Sequence, residues 1–288
     1  MQTIYKIDLI FLWIYSAIIM IIGVVGAVSL GNILFFAGAL LVEVIYLFLS
    51  FRRPYRRYRA LKQSFPVPWK TFLAEHSLFY KSLDTTGKKR FEQDIQIFLS
   101  DFSIEGIQRR AVDLETKLLV AAGAAALLHG RPTWEPPFKD GVVIFPGDRF
   151  DRNFRPGKGY FAGMATRKGP LLLTETSLLE SFKNPRDGHN VVYHEMAHYF
   201  DQAGATIPWR ELVTEEWRKA SEGRSFLGDY AGINEAELFA VAAEAFFEKP
   251  WEMKAQSPKL YDALKEFFNL DTVKILIREK IEVEKVRR

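Results

Sequence analysis

The chain has 288 residues, 48% of them hydrophobic, and a formal net charge of +4. That length suits one medium domain, or one domain with an appendage, and the mild charge gives no argument for nucleic acid. There is no cysteine, so a disulfide framework, a thiolate metal site and a cysteine nucleophile are excluded.

From Leu9 to Gly31 no residue is charged. At ~1.5 Å of rise per residue a helix of that length covers a hydrocarbon core of ~30 Å. Ser29, Gly31 and Asn32 supply turn chemistry. A second apolar run, Ile33 to Phe51, is broken only by Glu43. Two such runs with a short connection predict a transmembrane helical hairpin with both ends on one side. Arg52, Arg53, Arg56, Arg57 and Arg59 follow at once, a positive-inside signal. It places the N-terminus and everything after Arg52 on the cytoplasmic side of a bacterial-type inner (plasma) membrane. A cleaved signal peptide would be one shorter run with a cleavage site. The competing reading is a buried hairpin in a soluble protein, because Glu43 lies mid-span. An intramembrane Glu43 is a functional candidate by default, or a protonated group, or one paired in an oligomer.

From Ala60 the composition is that of a globular domain. Pro66 and Pro68 break the chain, and Trp69–Leu83 can form a short helix. Phe91, Ile95, Phe98 and Phe102 recur at helical spacing and predict an amphipathic helix over Lys88–Phe102. Asp113–Leu128, with its run of small apolar residues, predicts a buried helix, stopped by Gly130. His129 at its end reads as a capping or surface histidine. His76 and His189 read in the same way. Val142–Phe145 is a strand, Gly147–Gly169 a loop or irregular hairpin, and Gly169–Thr174 a second strand candidate. Ser177 can cap a short helix ending near Phe182, and Asn184–Gly188 is a turn. From Asp271 onward, Lys274, Arg278, Lys280, Lys285, Arg287 and Arg288 predict a helix with a solvated basic face, able to touch anionic lipid.

His194-Glu195-Met196-Ala197-His198 is an H-E-x-x-H pentapeptide. Positions four apart share one helix face, so both imidazoles can reach one metal ion, with Glu195 beside its open position. Asn190 can cap this helix from Val191 to about Gln202, with Gly204 as its stop. Apolar residues bury most of its circumference, and His194, His198 and Asp201 share the remainder. A catalytic zinc site takes three protein ligands. With no cysteine and five histidines in all, the third ligand should be a downstream carboxylate. The apolar helix that follows Tyr230 carries Glu235, Glu237 and Glu244. Glu237 and Glu244 lie on one face, and spacing leaves either open as the ligand. Glu237 can instead close a capping box with Asn234. Glu235 can be a first-turn acid, and Glu244 can orient a histidine.

The segment His194-Glu195-Met196-Ala197-His198-Tyr199-Phe200-Asp201, taken with Asn234-Glu235-Ala236-Glu237-Leu238-Phe239-Ala240, resembles the Mlc titration factor A-like zinc metallopeptidases. It also looks like the catalytic domain of anthrax lethal factor. The resemblance covers about Pro66 to Pro250. It implies a zincin-like α+β domain, mostly helical with a small sheet. It implies His194, His198 and Glu237 as Zn2+ ligands, Glu195 as general base and Tyr230 as the active-site tyrosine. Asp201 and Glu244 are candidates to hold the histidines from behind, with a helix-surface salt bridge as the alternative for Asp201. Met196 and Leu238 replace the family's phenylalanines. The N-terminal hairpin is a larger departure, so the partner binding of the soluble family member is not carried over.

The expected organisation is a transmembrane hairpin over 1–53, a basic juxtamembrane linker over 54–65, the metallopeptidase domain over 66–270 and a basic tail over 271–288. The expected function is a membrane-anchored zinc metallopeptidase acting on a peptide or protein substrate, with the lipid bilayer as a further partner. The alternative is a membrane-tethered binding protein on the same fold that docks a cytoplasmic regulatory partner.

Overall fold

A computed structural model describes residues 6–136, 140–148, 163–165, 169–202 and 210–277. The chain divides into two compact units, Met1–Ser64 and Phe65–Arg288.

The first unit is a helical hairpin, α1 (Lys6–Leu30) and α2 (Leu34–Lys62). Gly31 takes the left-handed conformation (φ 57°) that the tight reversal requires. The Asn32 side chain then accepts from Leu34 N at 2.9 Å and starts α2. Where the helices meet, Gly23 lies so close to Ala39 that any side chain at 23 would overlap it. Both helices are long and apolar enough to cross a membrane, and their large apolar side chains are mostly exposed, Trp13, Val28, Leu41 and Phe48 among them. Leu12 is an apolar exception, and Ser16, Glu43 and Arg57 are polar yet buried. Residues 54–62 of the expected juxtamembrane linker continue α2 to Lys62, with Pro54 inside the helix. Proline removes one hydrogen bond there, but the Arg, Leu and Lys residues around it are good helix formers.

The second unit is mostly helical around a small sheet. It begins with α3 (Val67–His76), α4 (Leu78–Ser82) and α5 (Thr85–Asp101). The single helix expected over 69–83 is therefore two, because Ser77 leaves helical geometry and caps α4 through Tyr80 N. Asp84 caps α5 by accepting from Gly87 N at 2.7 Å, which starts that helix a turn earlier than its apolar pattern does. Next come β1 (Ile104–Gly106), α6 (Leu114–Leu128), β2 (Val142–Phe145), β3 (Gly163–Ala165) and β4 (Leu171–Thr174). The sheet order is β1-β2-β4-β3, with β3 antiparallel at one edge and the others parallel. β1 and β3 were not foreseen; each has three residues, too short to display an alternating pattern. Most of the segment expected as a loop over 147–169, and the tail beyond 277, lie outside the described residues.

The chain continues through α7 (Glu175–Lys183), α8 (Val191–Gln202), α9 (Arg210–Ser221), a 3-10 turn (Asp229–Gly232), α10 (Glu235–Glu248), α11 (Pro250–Gln256) and α12 (Pro258–Phe268). Thr174, not Ser177, caps α7; its hydroxyl accepts from Ser177 N. α6, α8 and α10 form the centre. From Leu118 to Leu128 every residue of α6 is buried. Below them Phe246, Phe247, Tyr261 and Phe268 stack or meet edge-on, with centroids 5.2–5.7 Å apart. His129 ends α6 as expected, but it is not at the surface: it is 8% exposed, edge-on to Phe79 at 5.5 Å. Burial, reinforced by the charge of Arg90, pushes its imidazole down to about 4.

Gly123 decides how closely α6 approaches α8, because a Cβ there would overlap the Val192 side chain. Gly123→Val is expected to lower the unfolding free energy by about 2–3 kcal/mol, the range for overpacking a full core. Chemical denaturation of the full chain in detergent reads this; unchanged stability would mean that α6 and α8 are not this close.

Candidate metal centre

α8 starts where Asn190 leaves helical geometry and turns its Oδ1 onto the N–H groups of Val192 (3.1 Å) and Tyr193 (3.2 Å). That satisfies donors which the first turn cannot pair internally. Of residues 191–200, only His194 and His198 are not fully buried. The helix therefore presents the two imidazoles and little else.

α10 packs across this face. Asn234 caps it by accepting from Glu237 N at 2.9 Å. Asn234 thus caps the backbone of Glu237, while the Glu237 Oε2 that a capping box would turn back to the helix start faces the histidines. Glu237 Oε2 lies 3.1 Å from His194 Nε2 and 3.5 Å from His198 Nε2, and the two Nε2 atoms are 3.2 Å apart. Tetrahedral zinc with ligand bonds of ~2.0–2.1 Å separates its ligands by about 3.3 Å. The three donors therefore fit that ion, in chemistry (two imidazoles and a carboxylate) and in spacing.

Spacing left Glu237 and Glu244 equivalent; the structure divides their places. Glu244 Oε1 lies 2.6 Å from His194 Nδ1, and its Oε2 accepts from Asn190 N at 2.6 Å. With Nδ1–H donated to Glu244, Nε2 is the nitrogen directed at Glu237 and His198.

The electrostatics follow. Burial disfavours a charge on His194, but the carboxylates of Glu237 and Glu244 outweigh it and raise the imidazole to about 10. Burial likewise opposes the Glu237 charge, and His194 and His198 overcome it, holding the carboxyl at about 2.

Glu195 is buried and shares a cavity of about 480 Å³ with His194 and Tyr230, bounded on the far side by Thr176, Ser177 and Glu180 of α7. Tyr230 is half-exposed, its ring 5.8 Å from that of His194. Burial and the charges of Glu237 and Glu195 raise its hydroxyl to about 12, so it is a donor at neutral pH. The 3-10 turn carrying it is tied to α9 by Trp217 Nε1, which donates to Gly232 O at 2.9 Å. Beneath it Ala231 sits in a small apolar cluster with Val213, Ala220, Leu238 and Val241.

The side chain of Asp201 lies outside the described residues, as does Gly204. Glu235 accepts from Thr214 Oγ1 at 2.8 Å, away from the histidines. His76 is bonded to its own helix at Phe72 O, and His189 is in the turn before α8. Sequence reasoning missed Trp217 and the second contact of Asn190. It also missed Glu248, although its place four residues after Glu244 in an apolar helix was a visible signal.

Residues 52–269 match the model of the family described as Glucose-regulated metallo-peptidase M90. The uncharacterized protein slr2042 of Synechocystis sp. is 25% identical over 244 residues, covering 75% of this chain and 89% of that protein. Mlc titration factor A of Escherichia coli O9:H4 is 27% identical over 137 residues, 41% of this chain and 51% of that protein. The K12 form is 27% identical over 135 residues. The chain spans about half the length of the titration factors it matches.

Because the His194 imidazole holds its proton at neutral pH, a cation that binds at Nε2 must displace it. Zinc uptake by the metal-free chain at pH 7.5 is expected to release roughly one proton, and the apparent affinity to rise roughly tenfold per pH unit below about pH 10. Calorimetry in two buffers of different ionisation enthalpy measures the release; uptake without it would contradict the site.

Proposed function

The chain belongs to the glucose-regulated metallo-peptidase M90 family, and from that premise we propose that it is a membrane-anchored zinc metallopeptidase that hydrolyses peptide bonds. The observation that carries the reading is the convergence of His194 Nε2, His198 Nε2 and a Glu237 oxygen within 4.8 Å, with His194 also lining the cavity that holds Glu195 and Tyr230.

His194, His198 and Glu237 would hold the ion. Zinc, when bound, supplies Lewis acidity that polarises the peptide carbonyl and activates a water. Glu195 takes the proton of the attacking water and passes it to the leaving amine, the work of a general base that then acts as acid. Burial suits Glu195 to this, because competing solvent is kept from its carboxylate. Tyr230 keeps its proton well above neutral pH and donates a hydrogen bond to the oxygen that gains charge as the carbonyl is attacked. Glu244 fixes the ring of His194 through Nδ1. Asp201 belongs to the same helix and is assigned a supporting place behind the histidines.

The zincin-like fold and the domain plan of hairpin, juxtamembrane linker, catalytic domain and basic tail belong to the same proposal, with α2 extending through the linker to Lys62. The hairpin inserts in a bacterial-type inner membrane, and the arginines from Arg52 onward hold the catalytic domain on the cytoplasmic side. Peptide or protein segments are the substrates. The printed name of the Escherichia coli relatives, a titration factor for Mlc, supports a second reading, in which the domain docks a cytoplasmic regulatory partner. That reading has no use for Glu195.

Glu195→Gln separates the two. The variant is expected to keep its zinc and to lose about 10²–10⁴-fold in hydrolysis of a defined peptide mixture, the usual weight of a general base. Tyr230→Phe is expected to lose ~10²–10³-fold, the weight of one oxyanion donor. Zinc-loaded wild-type protein that cleaves nothing would leave only the docking reading, whereas a Glu195→Gln variant as active as wild type would remove Glu195 as the general base.

A further inference from the structure

α10 carries a second buried acid, besides Glu244, on the face it turns toward α8. Glu237, Glu244 and Glu248 are spaced by seven and four residues, so they line one side of the helix. Glu248 is 5% exposed. Its Oε1 accepts from Asn190 Nδ2 at 3.1 Å and its Oε2 from Gly188 N at 3.1 Å. It touches neither imidazole through any described hydrogen bond. We propose that Glu248 is a positioning residue of the metal centre: it fixes the Asn190 amide, Asn190 fixes Glu244, and Glu244 fixes His194. The inference rests on the metallopeptidase reading, since it assigns Glu248 a part in zinc binding.

The chain of contacts can be followed atom by atom. The Asn190 side chain has its oxygen on the first N–H groups of α8, so its Nδ2 must point the other way, into the protein. A buried amide donor needs an acceptor. Glu248 Oε1 supplies it, with Ser181 O a longer second contact at 3.5 Å. The same residue's backbone N–H holds Glu244 Oε2 at 2.6 Å, and Glu244 Oε1 is 2.6 Å from His194 Nδ1. If Glu248 releases the amide, the cap can rotate, the N–H of Asn190 shifts, and Glu244 no longer meets the imidazole squarely. The left-handed Gly188 (φ 76°), gripped by the other Glu248 oxygen, fixes the approach of the chain to Asn190.

A purely structural role does not account for this acid. Burial, with the nearby charge of Glu244, raises the Glu248 carboxyl to about 8, although the Asn190 contact works in the opposite direction. The group is therefore costly where it stands. An apolar side chain of the same volume would fill the space more cheaply. What an apolar residue cannot supply is the pair of acceptors that hold Asn190 and Gly188.

The experiment measures zinc binding by the full chain in detergent, with zinc chloride competed against a chromogenic chelator. Four proteins are compared: wild type, Glu248→Gln, Glu244→Gln and the double variant. Glu248→Gln keeps the volume and loses one of the two acceptors. It is expected to weaken zinc about 10–100-fold, the usual effect of removing a group that orients a ligand. In the Glu244→Gln background the same change is expected to have an effect under about twofold, because groups acting in series are not additive. Glu248→Asp, which keeps the charge but withdraws it from Asn190, carries the same two comparisons should Glu248→Gln not fold. Equal affinity in wild type and Glu248 variants overturns the inference. So does a loss of the same size in both backgrounds, which would mean that Glu248 acts through general stability. Wild-type protein that binds no zinc removes the metallopeptidase reading itself, an outcome distinct from the other two.

Discussion

The structure turns on one imidazole gripped at both nitrogens. His194 meets Glu244 through Nδ1 and Glu237 through Nε2, and both carboxylates come from α10. A single side chain of α8 is thereby fixed in position, tautomer and direction by a single neighbouring helix. Each of these contacts replaces water around a buried group, so the two helices can close only in the register that satisfies both ends of the ring.

The remaining architecture serves that register. The small sheet and the alanine-rich α6 form a wall against which α8 lies, and Gly123 lets α6 come close at Val192. The aromatic cluster of Phe246, Phe247 and Phe268 anchors the far end of α10. The near end is set by the Asn234 cap and by the turn carrying Tyr230, itself held to α9 through Trp217. Strands, caps and rings thus determine where α10 sits along α8, and that offset decides which glutamate reaches which nitrogen.

The division of labour between Glu237 and Glu244 shows where sequence reading stops. The pentapeptide is legible because helical periodicity alone puts two histidines on one face. The caps at Asn190 and Asn234, the helices α5, α6 and α8, and strands β2 and β4 are legible from local patterns as well. Which carboxylate meets Nε2 depends on the offset of two helices about forty residues apart in the chain, and no local pattern encodes it; only the family resemblance pointed to Glu237. Tyr230 is in the same position, since its turn has no periodicity to read. His129 does sit at the end of α6 as read, but tertiary packing puts Phe79 and Phe91 around it, which a helix-end pattern does not encode. Ser77 and Pro54 run against local tendency in opposite directions. A serine without any strong breaking tendency ended a helix by capping the next, and a proline was absorbed by its neighbours.

The concentration of buried acids around one histidine has a thermodynamic consequence. Glu195, Glu244 and Glu248 are each at most 6% exposed, and carboxylates so placed repel one another at close range. Burying acids on adjoining turns is costly unless protons or positive charge are brought among them, and at Glu248 that cost appears as a carboxyl pushed up to about 8. In the metal-free chain the protonated His194 supplies that charge. A divalent cation at the same three donors supplies more, and replaces a proton that the acids have made hard to remove. Metal affinity and the stability of the α8–α10 contact are therefore two expressions of one interaction.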